Sequence, residues 1–112
     1  MFGTFLGGAQ MLFAEMVAEH EAAKLLVYQA AWLKDQGLPN QYQTSMAKLF
    51  ASEAAVHAAS ETMKIFGSYG FSTEYPAERF LRDSMSLRTV EGTSNIQKTI
   101  IAGIALGDST NR

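Results

Sequence analysis

Apolar residues recur at three- and four-residue steps along the first third of the chain: Leu12, Met16, Ala23, Leu26, Ala30 and Leu33, with Glu15, Glu19, Lys24 and Lys34 between them. That period predicts one long helix from Gln10 to Gln36. Gly37-Leu38-Pro39-Asn40 stops it, because a glycine just past a helix end followed closely by proline cannot continue the helix. The short connection makes the next helix an antiparallel neighbour. A second stripe, Met46, Leu49, Phe50, Val56, Ala59, Met63 and Phe66, predicts a helix from Gln41 to Phe66. Two long helices with one apolar face each are not stable as a bare pair and imply a bundle that recruits further helices.

Gly67-Ser68-Tyr69-Gly70-Phe71-Ser72-Thr73 reads as a turn cluster. Its glycines and free N–H groups suit either an anion cradle or a plain helix end and loop. Pro76 stands in the first turn of a short helix carrying Glu78, Arg79, Phe80, Leu81, Arg82 and Asp83, whose charges are most simply same-face ion pairs. Met85 to Thr89 leads irregularly onward. A last helix is expected from Ser94 to Leu106, with Ile96, Ile100 and Ile104 on one face and Gly107 closing it, before a polar tail. With no repeat, no low-complexity tract and no strand alternation, the expected fold is all-α. It is an up-down four-helix bundle of two long helices, a short helix and a closing helix, forming a single domain over residues 1–112.

Composition narrows the function classes. A hydrophobic content of 47% in 112 residues supports a modest core but leaves no room for separate cofactor and substrate domains. A net charge of −2 with Lys and Arg scattered singly argues against nucleic acid. The absence of cysteine excludes disulfide scaffolds, thiolate metal sites and cysteine nucleophiles. The N-terminus lacks the basic residues of a signal peptide, and no window reaches the roughly 18 apolar residues of a membrane span. The expectation is a soluble, cytoplasmic chain. His20 and His57 fall in no metal-ligand spacing, so no metal site is expected, and Trp32, Phe50, Phe66 and the six methionines read as core or interface fillers.

The stretch with chemical promise is Val90-Glu91-Gly92-Thr93-Ser94-Asn95-Ile96-Gln97. Ser94 and Gln97 have the spacing of a capping box, which places Glu91 on a glycine hinge just ahead of a helix start. A carboxylate held there is either a base or an ordinary surface Glu favoured by the helix dipole.

The order Gly67-Ser68-Tyr69-Gly70-Phe71, Glu74-Tyr75-Pro76, Arg79, Arg82-Asp83 and Glu91-Gly92-Thr93-Ser94-Asn95-Ile96-Gln97 resembles the C-terminal signature of the acyl-CoA dehydrogenases. Phe13 to Met16 and Glu21 to Leu33 are similar to the first long helix of that family's C-terminal domain, and the likeness covers residues 10 to 107. It implies an FAD-dependent enzyme that desaturates an acyl-CoA thioester between Cα and Cβ, with Glu91 removing the α-proton and the β-hydrogen leaving as hydride to flavin. An α-C–H beside a thioester is a weak acid, so such a base must be aligned above it in a site that polarises the carbonyl. By the same resemblance Gly92 lets the thioester approach the main chain, Thr93, Ser94 and Asn95 contact the FAD of their own subunit, and Lys64, Ile65, Phe66, Gly67 and Ser68 touch that of a neighbouring subunit.

Four departures accompany the likeness. Lys64 stands where the family commonly has Gln, which either pairs it with phosphate or weakens the contact. Ser68 replaces a second Gly, and Val90 replaces an aromatic residue before the base. Family members are also more than three times longer. The chain is therefore expected to be the C-terminal helical domain alone, starting in the loop before the family's first C-terminal helix, without the N-terminal helical and β-barrel domains. A base without an electron acceptor cannot complete the redox step, so the isolated chain is expected to be inactive. The competing expectations are a non-catalytic homo-oligomerisation module, or a small subunit that joins a separate flavoprotein chain.

Overall fold

A computed structural model describes residues 2–66, 76–87 and 93–107 of the chain. They form four helices: α1 (Phe2–Asp35), α2 (Gln41–Phe66), α3 (Ala77–Ser86) and α4 (Ser94–Ala105). The expected all-α, four-helix architecture is the one found. α2 is its hub, since α1, α3 and α4 each pack against it, and the molecule measures 55 × 27 × 25 Å.

α1 starts at Phe2, well ahead of the expected Gln10 and through Gly3, Gly7 and Gly8. Each glycine costs roughly 1 kcal/mol in a helix, but lengthening an existing helix adds one hydrogen bond per residue without a new nucleus. At its other end Gly37 takes φ 68°, and the Leu38 N–H reaches the Leu33 carbonyl while the Gly37 N–H reaches that of Lys34, both at 3.0 Å. This is the left-handed glycine stop that the sequence announces. Asn40 then opens α2: its carbonyl accepts the Thr44 N–H at 2.8 Å and its side-chain oxygen the Thr44 hydroxyl at 3.1 Å.

The buried positions are mostly small. Ala30, Ala47, Val56, Ala59, Met63 and Ala77 form the apolar core, with Ser45, Ser52, Glu61, Ser84 and Gln97 buried beside them. Alanine and serine let helix axes approach closely, and two of the buried serines return their hydroxyl protons to carbonyls of their own helix, Ser52 to Lys48 and Ser84 to Leu81, at 2.8 Å each. Leu12, Met16, Ala23, Leu26 and Leu33 are half-buried, as their spacing predicts. α1 nevertheless also carries large apolar side chains on its outer side: Phe13, Leu25, Tyr28 and Trp32 are 64, 67, 62 and 57% exposed. Trp32 and Phe50 are thus exposed in this chain, which leaves the interface half of the core-or-interface expectation for them.

α3 runs through Met85 and Ser86, where an irregular segment was expected, and Leu87 caps it with its N–H on the Ser84 carbonyl. Glu78 and Arg82 pair at 2.9 Å across one turn, as expected of that helix. α4 differs by one residue from the expected register. Thr93 is the N-cap, its Oγ1 accepting the Ile96 N–H at 3.2 Å, and Ser94 is the first helical residue. Either hydroxyl can cap, and Ser94 is drawn off by α2 instead. Gln97, one turn after Ser94, is buried, whereas Ile96 is 53% exposed, so the inner face of α4 passes through Gln97 and the expected Ile96 lies outside it.

Candidate functional site

The start of α4 is built from three consecutive polar residues with different tasks. Thr93 and Asn95 are exposed, and Ser94 is half-buried. The Ser94 hydroxyl donates to Glu53 Oε1 on α2 at 3.1 Å. Ile96 and Gln97 give their N–H groups to Thr93, to Oγ1 and to the carbonyl oxygen. The N–H groups of Ser94 and Asn95 lie in the first turn, where helix geometry provides no carbonyl four residues back. An exposed pair of polar side chains beside two such donors at a helix N-terminus is suited to an anionic or strongly polar group.

Glu91 and Gly92 lie outside the described residues, as do Gly67 and Ser68 and the side chain of Phe66. Of the candidate group at the end of α2, Lys64 and Ile65 are described, and both are exposed. The Lys64 ammonium meets Glu61 Oε1 at 2.8 Å. Its charge is therefore matched within its own helix, and it does not stand as a free cation. Lys64 is eleven residues beyond Glu53, roughly 16 Å along the helix axis. The two groups of candidate residues are accordingly separate places on this chain.

A polar row along α2 escaped the sequence reading. Glu53, His57, Glu61 and Lys64 follow one another at steps of four, four and three, on one side of the helix. His57 Nδ1 lies 2.9 Å from Glu19 Oε2 on α1, and its Nε2 3.6 Å from Glu61 Oε1. The hydrogen bond and charge of Glu19 hold the imidazolium, with smaller help from Glu61 and Glu15, and raise the His57 pKa above its usual 6.5. Glu61 is a buried carboxylate between the Lys64 ammonium and the His57 ring, which adds a second positive charge when protonated, and such partners are how a buried charge is made tolerable. The four-residue spacing was visible in the chain, but the partner on α1 was not. Glu19, Phe50, Glu53, Ala54 and His57 border an open cleft of about 300 Å³. A larger groove of about 490 Å³ runs between α1 and α2, lined by Ala30, Ala31, Ala47 and Ala51 with Lys34 and Lys48 among its polar residues.

Among the described residues there is no cluster of His, Asp and Glu that would hold a metal ion, and no helix long and apolar enough to cross a membrane.

Residues 7–106 match the family model described as acyl-CoA dehydrogenase, C-terminal domain. The chain belongs to the acyl-CoA dehydrogenase family. It is 48% identical over 110 residues to a glutaryl-CoA dehydrogenase of Desulfococcus multivorans, covering 95% of this chain and 28% of that protein. The fold agrees with the butyryl-CoA dehydrogenase of Megasphaera elsdenii at a TM-score of 0.87 and 37% identity, covering 89% of this chain and 26% of that one. It agrees with PigA in its FAD complex at 0.85 and 31% identity, covering 96% and 27%. The chain thus spans about a quarter of the relatives it matches, and the part it spans is the acyl-CoA dehydrogenase helical C-terminal domain.

Proposed function

We propose that this chain is the C-terminal, base-carrying part of an FAD-dependent acyl-CoA dehydrogenase, with Glu91 as the base that takes the α-proton of an acyl-CoA thioester. The observation that carries the reading is the family match over residues 7–106, within which Glu91 and Gly92 directly precede Thr93, the N-cap of α4, in the sequence. The donor set at the start of α4 fits FAD: exposed Thr93 and Asn95 side chains and the first-turn N–H groups of Ser94 and Asn95 suit a polar, anionic dinucleotide. Ser94 serves through its N–H, because its hydroxyl is given to Glu53. Lys64 and Ile65, with Phe66, Gly67 and Ser68, are assigned to the flavin of a neighbouring subunit, where Lys64 would meet the flavin as an ammonium already paired with Glu61.

When bound, FAD supplies the acceptor for the β-hydrogen and its electron pair. This chain's share is the other half of the desaturation. The Glu91 carboxylate takes the α-proton, and Gly92 leaves space for the thioester to come close to the main chain. The 112 residues by themselves have no electron acceptor among their side chains, so the isolated chain is expected not to reduce a dye with butyryl-CoA, with or without added FAD. The test of the reading is a chimera in which residues 7–106 replace the matching domain of the Megasphaera elsdenii butyryl-CoA dehydrogenase. It is expected to retain FAD and to reduce the dye with butyryl-CoA. A folded, flavin-replete chimera without activity would overturn the reading.

A second reading is favoured by one observation, the exposed Phe13, Leu25, Tyr28 and Trp32 of α1. Such an apolar outer face suits helix packing between copies of the chain or against a separate flavoprotein chain. A concentration-dependent oligomer that is indifferent to Glu91→Gln would support a pure assembly module. Co-purification with a flavoprotein whose activity falls on Glu91→Gln would support a split enzyme.

A further inference from the structure

The groove of about 490 Å³ between α1 and α2 is bordered on one side by Leu87, the C-cap of α3. Small side chains make the room. Val27 and Ala31 stand one turn apart on α1, and Ala47 and Ala51 one turn apart on α2. Alanine ends at Cβ, so the two walls leave a hollow above the line where Ala30 and Ala47 are buried.

The charges in this hollow are of one sign. Lys34 comes from α1 and Lys48 from α2, and no carboxylate is among the described residues that line it. Lys24 and Lys64 each meet a glutamate of their own helix, at 3.4 and 2.8 Å, but Lys34 and Lys48 have no carboxylate partner among the described residues. Lys48 is half-buried, and its ammonium gives one hydrogen bond, to the Leu87 carbonyl. An ammonium carries three donors, so the others and the charge itself are left unmatched. The hydroxyls of Thr44 and Ser52 are already given to the Asn40 side chain and to the Lys48 carbonyl. Two cations on opposite walls of an apolar groove remain.

We propose that this groove is a binding site for a small amphiphilic carboxylate, with the head held between Lys34 and Lys48 and an aliphatic tail laid along the alanine-lined seam. The volume lies within the few hundred to about a thousand Å³ of small-ligand sites. A tail has a path to follow, because Val27 and Ala51 stand seven residues from Lys34 and Thr44 respectively, roughly 10 Å along the antiparallel helices. Beyond them a second hollow of about 310 Å³, also bordered by Val27 and Ala51, continues towards His20 and Ala58. Charge selects the head group. A half-buried ammonium without a counter-ion gains from a carboxylate, through a charge-assisted hydrogen bond and the matched charge, whereas a cationic or neutral amphiphile complements the apolar walls alone.

The test titrates the 112-residue chain, labelled at its alanine methyl groups, with octanoate below the concentration at which octanoate aggregates, followed by NMR. The methyl signals of Ala31, Ala47 and Ala51 are expected to shift saturably, while those of Ala102 and Ala105 on α4 hold. Affinity is expected to rise roughly twofold to fourfold per methylene from hexanoate to octanoate, and octylamine is expected to leave the three signals in place. Lys34→Gln changes an exposed side chain and is expected to weaken octanoate about threefold to tenfold with Tm kept, and Lys48→Gln to do the same. Lys48→Arg keeps the charge and is expected to restore most of the affinity. Ala51→Leu fills the groove and is expected to weaken octanoate about tenfold or more.

Methyl signals that stay still, or that move equally with octylamine, would overturn the proposal, as would binding indifferent to both lysines. A partner helix is the other occupant such a seam admits: the same three signals shifting with protein concentration alone, with octanoate unable to reverse it, would assign the groove to chain association and overturn the proposal. Whether Glu91 is the base has no bearing on these readouts, so either can fail alone.

Discussion

Replacing His57 isolates the clasp between α1 and α2. Its Nδ1 is 2.9 Å from Glu19 and its Nε2 3.6 Å from Glu61. The side chains of His57 and Glu19 are 40% and 33% exposed, so solvent screens the pair. Its contribution is that of a surface ion pair, about 0.5–1 kcal/mol. In a domain of this size that corresponds to roughly 2–5 °C in Tm. The His57 pKa is raised above 6.5, chiefly by the Glu19 hydrogen bond, so the charged form is the stabilising one. The stabilisation is complete below about pH 6.5, where unfolded histidine is also protonated, and disappears as pH rises through the raised folded value. Neutral imidazole can still donate from Nδ1 to Glu19, but it then has no proton at Nε2 for Glu61. Thermal melts of the parent and His57→Gln at low salt should differ most near pH 5.5 and least near pH 8.5. A gap that is equal at both values, or that widens on the alkaline side, would refute the assignment of His57 as a protonated clasp.

Two further outcomes follow from packing and capping. Met63 is 7% exposed on α2, and Met63→Ala is expected to destabilise the chain by about 2–4 kcal/mol in urea titration, with m unchanged. Thr93→Ala removes the oxygen that accepts the Ile96 N–H and is expected to cost about 1 kcal/mol, seen as faster amide exchange at Ile96 while the α1–α2 contact keeps its protection.

The chain announced its fold more fully than its site. The bounds of α2 and the stop at Gly37 followed from local rules, because a stripe of apolar residues and a left-handed glycine act within a few residues of one another. The start of α1 did not, since glycine propensity is a weak prior against extension of a helix already formed. At α4 the hydroxyls of Thr93 and Ser94 are equivalent in sequence, and only the position of Glu53, 41 residues earlier, decides between them. His57 is a similar case: its four-residue spacing to Glu61 is local, but the Glu19 partner that sets its charge comes from another helix. Thr93 and Asn95 stand exposed at the start of α4, and Lys64, for which a phosphate partner or a weakened contact was expected, is paired with Glu61 on its own helix. Glu91, Gly92, Gly67 and Ser68 fall outside the described residues, so their assignment rests on the motif.

The central claim is that Glu91 takes a proton from the carbon next to the thioester, and α-hydrogen exchange measures that step without requiring net oxidation. In the chimera incubated with butyryl-CoA in D2O, deuterium is expected to enter the α-position when Glu91 is present. Glu91→Gln, with the same flavin content, is expected to slow that entry by about a thousandfold or more, within the range that general base catalysis supplies. Exchange that continues at the parental rate in the Glu91→Gln protein would contradict the account.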